Sequence, residues 1–347
     1  MVEWKKLGDI CEIKTGRGIT QKDCTENGLY PVISGGQAPM GKYNQYNREA
    51  HNITISRVGA NAGYVSYIWQ RFYLNDKCFS IIPFNDTVFI KRYLYIILKS
   101  KEDGIRKLQS EGGVPTINTQ KLSSLIIPVP SLFEQKQIVN ILDTFTSSID
   151  NLKQQIAQRR KQYEYYRDRL LDLEGKEGVE MKKLGEILQV KKGEYITKKE
   201  AKEGLYPVIL GGKEPAYYID KYNHTGKAIV ISRSGASAGY VSFWDEPIFV
   251  TDGFLIEPKE SVSIEYLYYL LKSKQRELHG AQKGGAIPHV TPAIINAIDT
   301  LLPDKLTQQR IVDNLDKFEA SIQNLEAQLS QREKQYEYYR NKLLTFE

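Results

Sequence analysis

The side chains whose chemistry could recognise another molecule lie in two short segments, and each segment occurs twice. The first segment is rich in small residues, and it reads Gly35, Gly36 and Gln37 in one version and Gly211, Gly212 and Lys213 in the other. The second segment carries Ser56, Arg57 and Asn61 in one version and Ser232, Arg233 and Ser237 in the other. Glycine lets a backbone approach another surface closely, and arginine, lysine, asparagine and glutamine can pair with the edges of DNA bases. We therefore predict that these residues form a DNA-binding surface.

Two alternative interpretations stay open for these segments. Arg57 and Arg233 could form ion pairs within their own domains, and the glycine-rich stretches could be tight turns alone. A third repeated segment, residues 110–118 and 282–290, could offer backbone N–H groups to phosphate, although a turn explains it equally well. The two versions also differ at several polar positions, as expected of two related readers with different targets.

No residue set in the sequence predicts catalysis. There is no (N/D)PP(Y/F) motif, no G-x-G-x-x-G after a predicted strand and no GxxxxGK(S/T) phosphate loop. The histidines show no metal-ligand spacing, and the three cysteines form no CxxC pair. We therefore expect this chain to hold no catalytic residue, no metal and no cofactor.

Composition is that of a globular protein that works without a membrane. Hydrophobic residues make up 41% of the chain and charged residues 26%, and no apolar run is long enough for a membrane span. The sequence begins without a secretory signal, so we expect the cytoplasm. The net charge is +6, and residues 1–133 hold 17 Lys and Arg against 11 Asp and Glu, whereas residues 181–306 hold 17 against 15. The positive excess therefore lies in the globular segments, as a nucleic-acid partner would require.

Nearly the whole chain is an internal duplication. WKKLGDI at residue 4 returns as MKKLGEI at 181, GLYPVISGG at 28 as GLYPVILGG at 204, and ITISRVGANAGYVS at 53 as IVISRSGASAGYVS at 229. KQYEYYRDRLL at 161 likewise returns as KQYEYYRNKLL at 334. A period this long indicates two copies of a domain rather than a solenoid.

The end of each copy predicts a long helix. Apolar residues alternate at spacings of four and three over residues 138–173 and again over 311–346, with one arginine in each seam, Arg159 and Arg332. That spacing is typical of a coiled-coil heptad, and about 40 residues of helix extend roughly 60 Å. We expect the two helices to pair antiparallel with a domain at each end. The alternative is that each helix packs only on its own domain.

The remaining segments predict a mixed α and β domain in each copy. Short β-rich runs alternate with glycine-rich turns, and one helix is expected around YLYIILKSK at residue 93. The fold class is therefore α+β. The predicted boundaries are a first recognition domain over 1–133, a first helix over 134–176, a second domain over 181–306 and a second helix over 307–347.

In combination, these features resemble the specificity subunits of type I restriction-modification systems. The resemblance covers essentially the full chain and rests on KLG(D/E)I, ISR.GA.AGYVS, GG.P and P.P..EQKQIV before a long helix. The second copy departs from the last pattern, because Thr307 replaces the glutamate found at Glu134. That difference leaves open whether both helix starts are capped in the same way.

The resemblance implies a division of labour. Each recognition domain would read one half of a bipartite site in double-stranded DNA, while the paired helices set the unread spacer and bind methyltransferase subunits, of which two are expected. A restriction and translocase subunit would complete the complex, and S-adenosylmethionine, ATP and Mg would belong to the partners. Because much of the reading surface is shared, we expect partly similar half-sites. The alternative function is a non-catalytic coiled-coil scaffold that binds only proteins.

Overall fold

The computed structural model describes residues 2–85, 88–110, 112–197, 202–210, 212, 214–280 and 289–346. The chain divides into two compact units. Unit 1 comprises Met1–Asn151 and Leu329–Glu347, and unit 2 comprises Leu152–Gln328. Each unit therefore contains one globular segment and a part of each long helix.

The globular part of unit 1 begins with short strands separated by turns. Its strands are β1 (Glu3–Lys6), β2 (Cys11–Thr15), β3 (Tyr30–Ile33), β4 (Gly41–Tyr43), β5 (Asn52–Ser56), β6 (Val65–Ile68), β7 (Tyr73–Leu74), β8 (Cys78–Pro83) and β9 (Ile126–Val129). Its helices are α1 (Leu7–Ile10), α2 (Lys91–Ser100), α3 (Glu102–Arg106) and α4 (Thr119–Ser123), followed by the long helix α5 (Leu132–Leu171).

Unit 2 repeats this order of elements. Its strands are β10 (Glu180–Lys183), β11 (Leu188–Lys192), β12 (Tyr206–Ile209), β13 (Tyr217–Ile219), β14 (Lys227–Ser232), β15 (Val241–Asp245), β16 (Phe249–Val250), β17 (Gly253–Pro258) and β18 (Asp299–Leu302). Its helices are α6 (Leu184–Ile187), α7 (Ile264–Ser273), α8 (Gln275–Gly280) and α9 (Pro292–Ala297), followed by the long helix α10 (Lys305–Leu344).

The two units have the same sheet topology. Unit 1 has a four-stranded sheet in the order β2-β8-β5-β6, a three-stranded sheet β4-β3-β7 and a ribbon β1-β9. Unit 2 has the matching orders β11-β17-β14-β15, β13-β12-β16 and β10-β18. In both copies the contact of β3 with β7, or of β12 with β16, is parallel, and the other pairs are antiparallel. The predicted duplication and the mixed α and β fold are confirmed.

Each core forms where the four-stranded sheet meets the helix after it. In unit 1 the β-branched side chains of Ile53 and Ile55 are fully buried from water, together with Phe79, Tyr93 and Leu94. β-Branched and aromatic residues suit a pleated, buried surface, and α2 lays its apolar face on that sheet. The helix predicted around YLYIILKSK is thereby confirmed. Its counterpart α7 packs in the same way in unit 2.

The two long helices are 40 residues each and begin after a proline. At α5, Ser131 and Glu134 cap each other, with Ser131 N donating to Glu134 Oε2 at 2.9 Å and Glu134 N to Ser131 Oγ at 3.3 Å. At α10, Asp304 Oδ1 accepts from the backbone N–H groups of Leu306 at 2.9 Å and Thr307 at 3.0 Å. Both devices satisfy free N–H groups of a first turn. The two helix starts are therefore capped by different chemistry.

The helices pair within each unit. In unit 2, Tyr163 Oη lies 3.2 Å from Glu319, and Arg160 forms an ion pair with Glu326. A step back along α5 from Tyr163 to Arg160 therefore corresponds to a step forward along α10 from Glu319 to Glu326. In unit 1, Phe145 stacks on Tyr339 with ring centroids 5.3 Å apart. The helix segments in unit 2 are thus antiparallel, and the alternative that each helix packs only on its own domain does not hold.

Candidate nucleic-acid interface

The predicted binding segments of unit 1 meet at one end of the four-stranded sheet. Strand β5 ends at Ser56 beside the start of β8 at Cys78, because the two strands pair antiparallel. The loop after Ser56 is held to the next connection by a hydrogen bond from Arg57 N to Lys77 O of 2.8 Å. The loop after β2 joins the same cluster, since Arg17 N donates to Leu74 O at 3.0 Å.

Glycines allow these loops to lie against one another. A Cβ atom on Gly35 would lie 2.5 Å from Val58 O, so only glycine permits this approach without a shift. Gly59 adopts a φ of 101°, which L side chains rarely adopt, and its N–H donates to Pro115 O at 2.9 Å. The third repeated segment, residues 110–118, is thereby joined to the same surface.

The exposed polar residues of the cluster also contact each other. Gln37 is exposed, and its Nε2 lies 3.4 Å from Asn61 Oδ1. Gly36 is exposed beside it. The structure thus brings together Gly35, Gly36, Gln37, Arg57 and Asn61, which come from sequence positions more than twenty residues apart.

Unit 2 builds the corresponding loop in the same way. Gly239 N donates to Ser232 O at 2.8 Å and Tyr240 N to Ser237 O at 2.9 Å, as Gly63 and Tyr64 do in unit 1. Gly235, like Gly59, has a positive φ, here 77°. Gly212 is half-buried, whereas the predicted residues Gly211 and Lys213 lie outside the described residues.

Two of the predicted binding residues are buried. Ser56 is 3% exposed and Ser232 is 1% exposed. Ser56 Oγ accepts a weak hydrogen bond from Cys78 Sγ at 3.9 Å, and Ser232 Oγ has no partner among the described residues. These serines end the central strands beneath the loops, so they position the loops and present no side chain at the surface.

The two arginines have different partners. Arg57 lies over the ring of Phe79 at 5.8 Å, and its Nη1 is 3.4 Å from the backbone oxygen of Asp76. Within the described ranges no carboxylate pairs with Arg57. Arg233 forms an ion pair with Asp252, with Nη1 and Oδ1 3.6 Å apart. The alternative of an internal ion pair therefore holds for the second copy and not for the first.

Arg233 also lines two hollows on unit 2. One, of about 490 Å³, is lined by Lys192, Tyr195, Leu210 and Asp252 among others, and the second, of about 440 Å³, is lined by Phe254 and His289 among others. The Nδ1 atom of His289 is buried and unpartnered among the residues that the structure describes. The surface of unit 2 at Arg233 is thus concave, with both charged and apolar walls.

Sequence reasoning missed the other charged residues of the loop cluster. In unit 1, Lys77 lies beside Arg57 and Arg17 lies beside Leu74 in the same cluster, and both cations are exposed. They lie outside the repeated motifs. In the second copy Glu194 aligns with Arg17, and the connection that carries Lys77 is one residue shorter, with Asp252 in the place next to the arginine. The signal that could have found them is this change of charge at aligned positions.

Chemistry of other kinds has little support in the described part of the chain. No group of three or more His, Cys, Asp or Glu side chains there could hold a metal ion. Burial raises the pKa of the Cys11 thiol to about 12 and that of Cys78 to about 11, so both are poor nucleophiles. None of the described helices is long and apolar enough to cross a membrane.

The duplicated domain is that of a known class of DNA specificity domains. The family model of the type I restriction modification DNA specificity domain matches residues 1–159 and again residues 176–333. The chain therefore belongs to this family and carries two copies of its domain, as the sequence motifs predicted.

Relatives match over nearly the full length. The EcoR124I/EcoR124II specificity subunit of Escherichia coli is 26% identical, with 99% of this chain and 94% of the relative covered. A Haemophilus influenzae protein assigned as a type I restriction enzyme specificity subunit is 32% identical, covering 99% of this chain and 96% of the relative. The chain thus matches these relatives over nearly their whole length.

Solved structures share the fold. The type I restriction-modification S subunit from Mycoplasma genitalium superposes with a TM-score of 0.76 at 21% identity, covering 100% of this chain and 97% of that one. A chain from a structure of complex assembly and conformational transition of the type I R-M system gives a TM-score of 0.61 at 15% identity, with 99% and 96% covered.

Proposed function

We propose that this chain is the DNA sequence-specificity subunit of a type I restriction-modification complex, in which each recognition domain reads one half of a bipartite site. The observation that carries the proposal is the pair of loop clusters. Each cluster is built by equivalent strands and matching backbone hydrogen bonds. The two clusters share an arginine, Arg57 or Arg233, and differ at other polar positions. Two surfaces with one framework and two sets of polar groups suit two related DNA half-sites.

Within each cluster, the polar residues predicted from the sequence are assigned to DNA. Gln37, Arg57 and Asn61 would contact bases or phosphates in one half-site, and Lys213, Arg233 and Ser237 in the other. Gly35, Gly36, Gly211 and Gly212 would let the backbone come close to the DNA. Ser56 and Ser232, which are buried, would hold the loops in place.

The long helices are assigned to spacing and assembly. Tyr165 is 58% exposed and its counterpart Tyr338 is 60% exposed, although both are large aromatic residues. Exposed aromatic side chains are enriched where proteins bind one another. Their repetition on both helices supports two equivalent methyltransferase subunits, joined in the full complex by a restriction and translocase subunit.

The same proposal assigns the chemistry to the partners. S-adenosylmethionine, ATP and Mg would bind the methyltransferase and translocase subunits, and this chain would contribute no catalytic group. The recognition domains would extend over 1–133 and 181–306, with the spacing helices over 134–176 and 307–347.

Methylation mapping tests this function directly. The chain is co-expressed with the methyltransferase encoded beside it, and the host genome is sequenced for methylated adenines. We expect one bipartite motif that is absent when this chain is omitted. A protein scaffold would give no such motif, and the purified complex would bind DNA without the steep salt dependence that phosphate contacts impose.

The spacer role has its own test. Removing equivalent heptads from the two copies, residues 153–159 and 326–332, shortens each helix by about 10 Å. Because base pairs are about 3.4 Å apart, the unread spacer should become about three base pairs shorter while both half-sites keep their bases. An unchanged spacer in the methylation map contradicts the spacing role.

A further inference from the structure

One position of the loop cluster carries opposite charges in the two units. In unit 1 the backbone oxygen of Lys77 accepts a hydrogen bond of 2.8 Å from Arg57 N. In unit 2 the oxygen of Asp252 accepts the equivalent bond, 3.3 Å, from Arg233 N. These matching bonds place Lys77 and Asp252 equivalently relative to the shared arginine. The connection is one residue longer in unit 1, where the exposed carboxylate Asp76 precedes Lys77.

A second position beside it is reversed in the same sense. Arg17 N donates to Leu74 O at 3.0 Å in unit 1, and Glu194 N donates to Val250 O at 3.0 Å in unit 2. Arg17 and Glu194 are both exposed. The loop cluster of unit 1 therefore carries two cations at the positions where unit 2 carries two carboxylates.

These reversals change what the shared arginine can do. In unit 1, backbone hydrogen bonds hold Arg57 against Lys77 and Arg17 against Leu74 in the same cluster. Among the described residues none of these three cations forms an ion pair. In unit 2, Asp252 binds Arg233 and also accepts a hydrogen bond from Ser234 Oγ. Arg233 thus has a carboxylate beside it.

Base chemistry separates the two arrangements. Guanine presents two acceptors, O6 and N7, to a cation in the major groove, whereas cytosine and adenine present an amino donor that a carboxylate accepts. A carboxylate near the DNA backbone also repels phosphate. It therefore lowers affinity for every sequence that offers no amino group to hydrogen-bond with the carboxylate. A carboxylate in a reading loop therefore favours discrimination over general affinity.

We propose that the position of Lys77 and Asp252 is a specificity determinant that makes the two half-sites differ. Lys77, with Arg17 and Arg57, selects a guanine in the half-site of the first domain. Asp252 selects an exposed amino group, of cytosine or adenine, in the half-site of the second. This inference rests on the proposed function, and it limits the similarity expected between the half-sites to the positions read by shared residues.

Exchanging the charges tests the assignment in the full chain bound to its methyltransferase. In Asp252→Lys, methylation of the original site should fall by at least about tenfold, and the preferred base should change in the half-site of the second domain only. In Lys77→Asp, the change of preferred base should lie in the half-site of the first domain only, because Lys77 is assigned to a base there.

Two further variants guard against a folding artefact. Asp252→Asn keeps the shape of the side chain and should relax base preference at one position of one half-site. Glu257→Lys is the matched control. The side chain of Glu257 is 34% exposed, as that of Asp252 is, and it also forms an ion pair, with Lys191 at 2.6 Å. Glu257 lies within strand β17, away from the loop cluster. This control should leave the methylation motif unchanged.

The outcomes separate this inference from the proposed function. If the wild-type complex gives no bipartite motif, the proposed function fails. If the wild type gives one and neither Asp252→Asn nor Lys77→Asp alters a base in it, the specificity assignment is overturned. Equal weakening of both half-sites by either variant also overturns it, because a base contact must act on its own half-site.

Discussion

The two units hold their long helices by different charged contacts at the same place. In unit 1, Arg92 on α2 binds Asp143 on α5, with Nη2 and Oδ1 2.7 Å apart. The Arg92 guanidinium also lies about 5 Å from the rings of Tyr67, Trp69 and Tyr95. A largely buried cation therefore joins the recognition domain to its helix.

Unit 2 has no such cation there. The residue aligned with Arg92 is Glu265, which forms an ion pair of 2.6 Å with Lys227 on the sheet. The aligned partner of Asp143 is Asp316, which accepts a hydrogen bond of 2.5 Å from Tyr269. Glu319 beside it accepts one from Tyr163 at 3.2 Å. Tyrosine hydroxyls thus take the place of the ion pair.

The difference teaches which contacts the shared fold depends on. Strand order, glycine turns and the apolar core are the same in both units, while charged contacts are exchanged at the helix junction and in the loop cluster. The buried contacts that are identical in both units should therefore carry the larger share of stability. The contacts that differ should matter in one unit only.

The largest effect is expected at a glutamine that both units share. Gln135 on α5 is fully buried, and its side chain bonds Val88 O at 2.9 Å, Pro130 O at 3.0 Å and Ile90 N at 2.9 Å. Replacing it with leucine leaves these backbone groups unpaired, at a cost of about 2–4 kcal/mol. Urea unfolding, with hydrogen exchange to assign the loss to unit 1, measures it.

The control and the counterpart sharpen this prediction. Gln137 lies two residues further along α5 and is exposed, so Gln137→Leu should change the free energy of unfolding by less than about 0.5 kcal/mol. Gln308 makes the same contacts in unit 2, with Pro303 O and Ser261 O at 3.0 Å, and Gln308→Leu should cost as much as Gln135→Leu. A much smaller cost in either unit contradicts a shared anchor.

The next largest effect is a loss of stability that should differ between the two units. Arg92→Leu leaves Asp143 without its partner at a site where Arg92 is only 16% exposed, so unit 1 should lose about 2 kcal/mol. Glu265→Leu removes a more exposed pair and should cost unit 2 less than about 1 kcal/mol. Equal losses, measured by the same unfolding and exchange experiments, would show that the junctions are equivalent after all.

Much of this fold could be predicted because its signals are local. The heptad spacing of α5 and α10 depends on neighbouring turns of one helix, and the turns at Gly59 and Gly235 depend on glycine alone. Contacts made by strand register could not be predicted. Lys77 lies beside Arg57 only because β5 and β8 pair with Ser56 opposite Cys78. The sequence around either residue does not indicate this strand register.

The burial of polar residues could not be predicted from the sequence either. A serine at a strand end suits the surface and the interior alike, and the binding role that the sequence predicts for Ser56 falls on a side chain buried beneath the loop. Gln135 was visible in the EQKQ motif, but its role depends on Val88 and Pro130 lying around it. The family resemblance pointed to the motif without giving its physical reason.

The smallest expected effect is a pH dependence found only in unit 2. Burial raises the pKa of the Glu319 carboxyl, and the nearby Asp316 adds to this, while hydrogen bonds from Tyr163 and Tyr269 and the charge of Lys272 oppose it. The folded unit therefore holds this proton more tightly than the unfolded chain. Its contribution to stability is complete below the ordinary glutamate pKa, about 4.3, and is lost as pH rises through the folded value.

Glu319→Gln should remove that dependence, because glutamine stays neutral and its amide oxygen can still accept the Tyr163 hydrogen bond. The variant should match the wild type near pH 4 and become more stable than it toward neutral pH, by less than about 1 kcal/mol. Unfolding curves across this range measure the difference. Thr146 occupies the aligned position in unit 1, so Thr146→Val should show no comparable trend with pH. A Glu319→Gln difference that is constant with pH would mean that the carboxylate is as well solvated in the folded unit as in the unfolded chain.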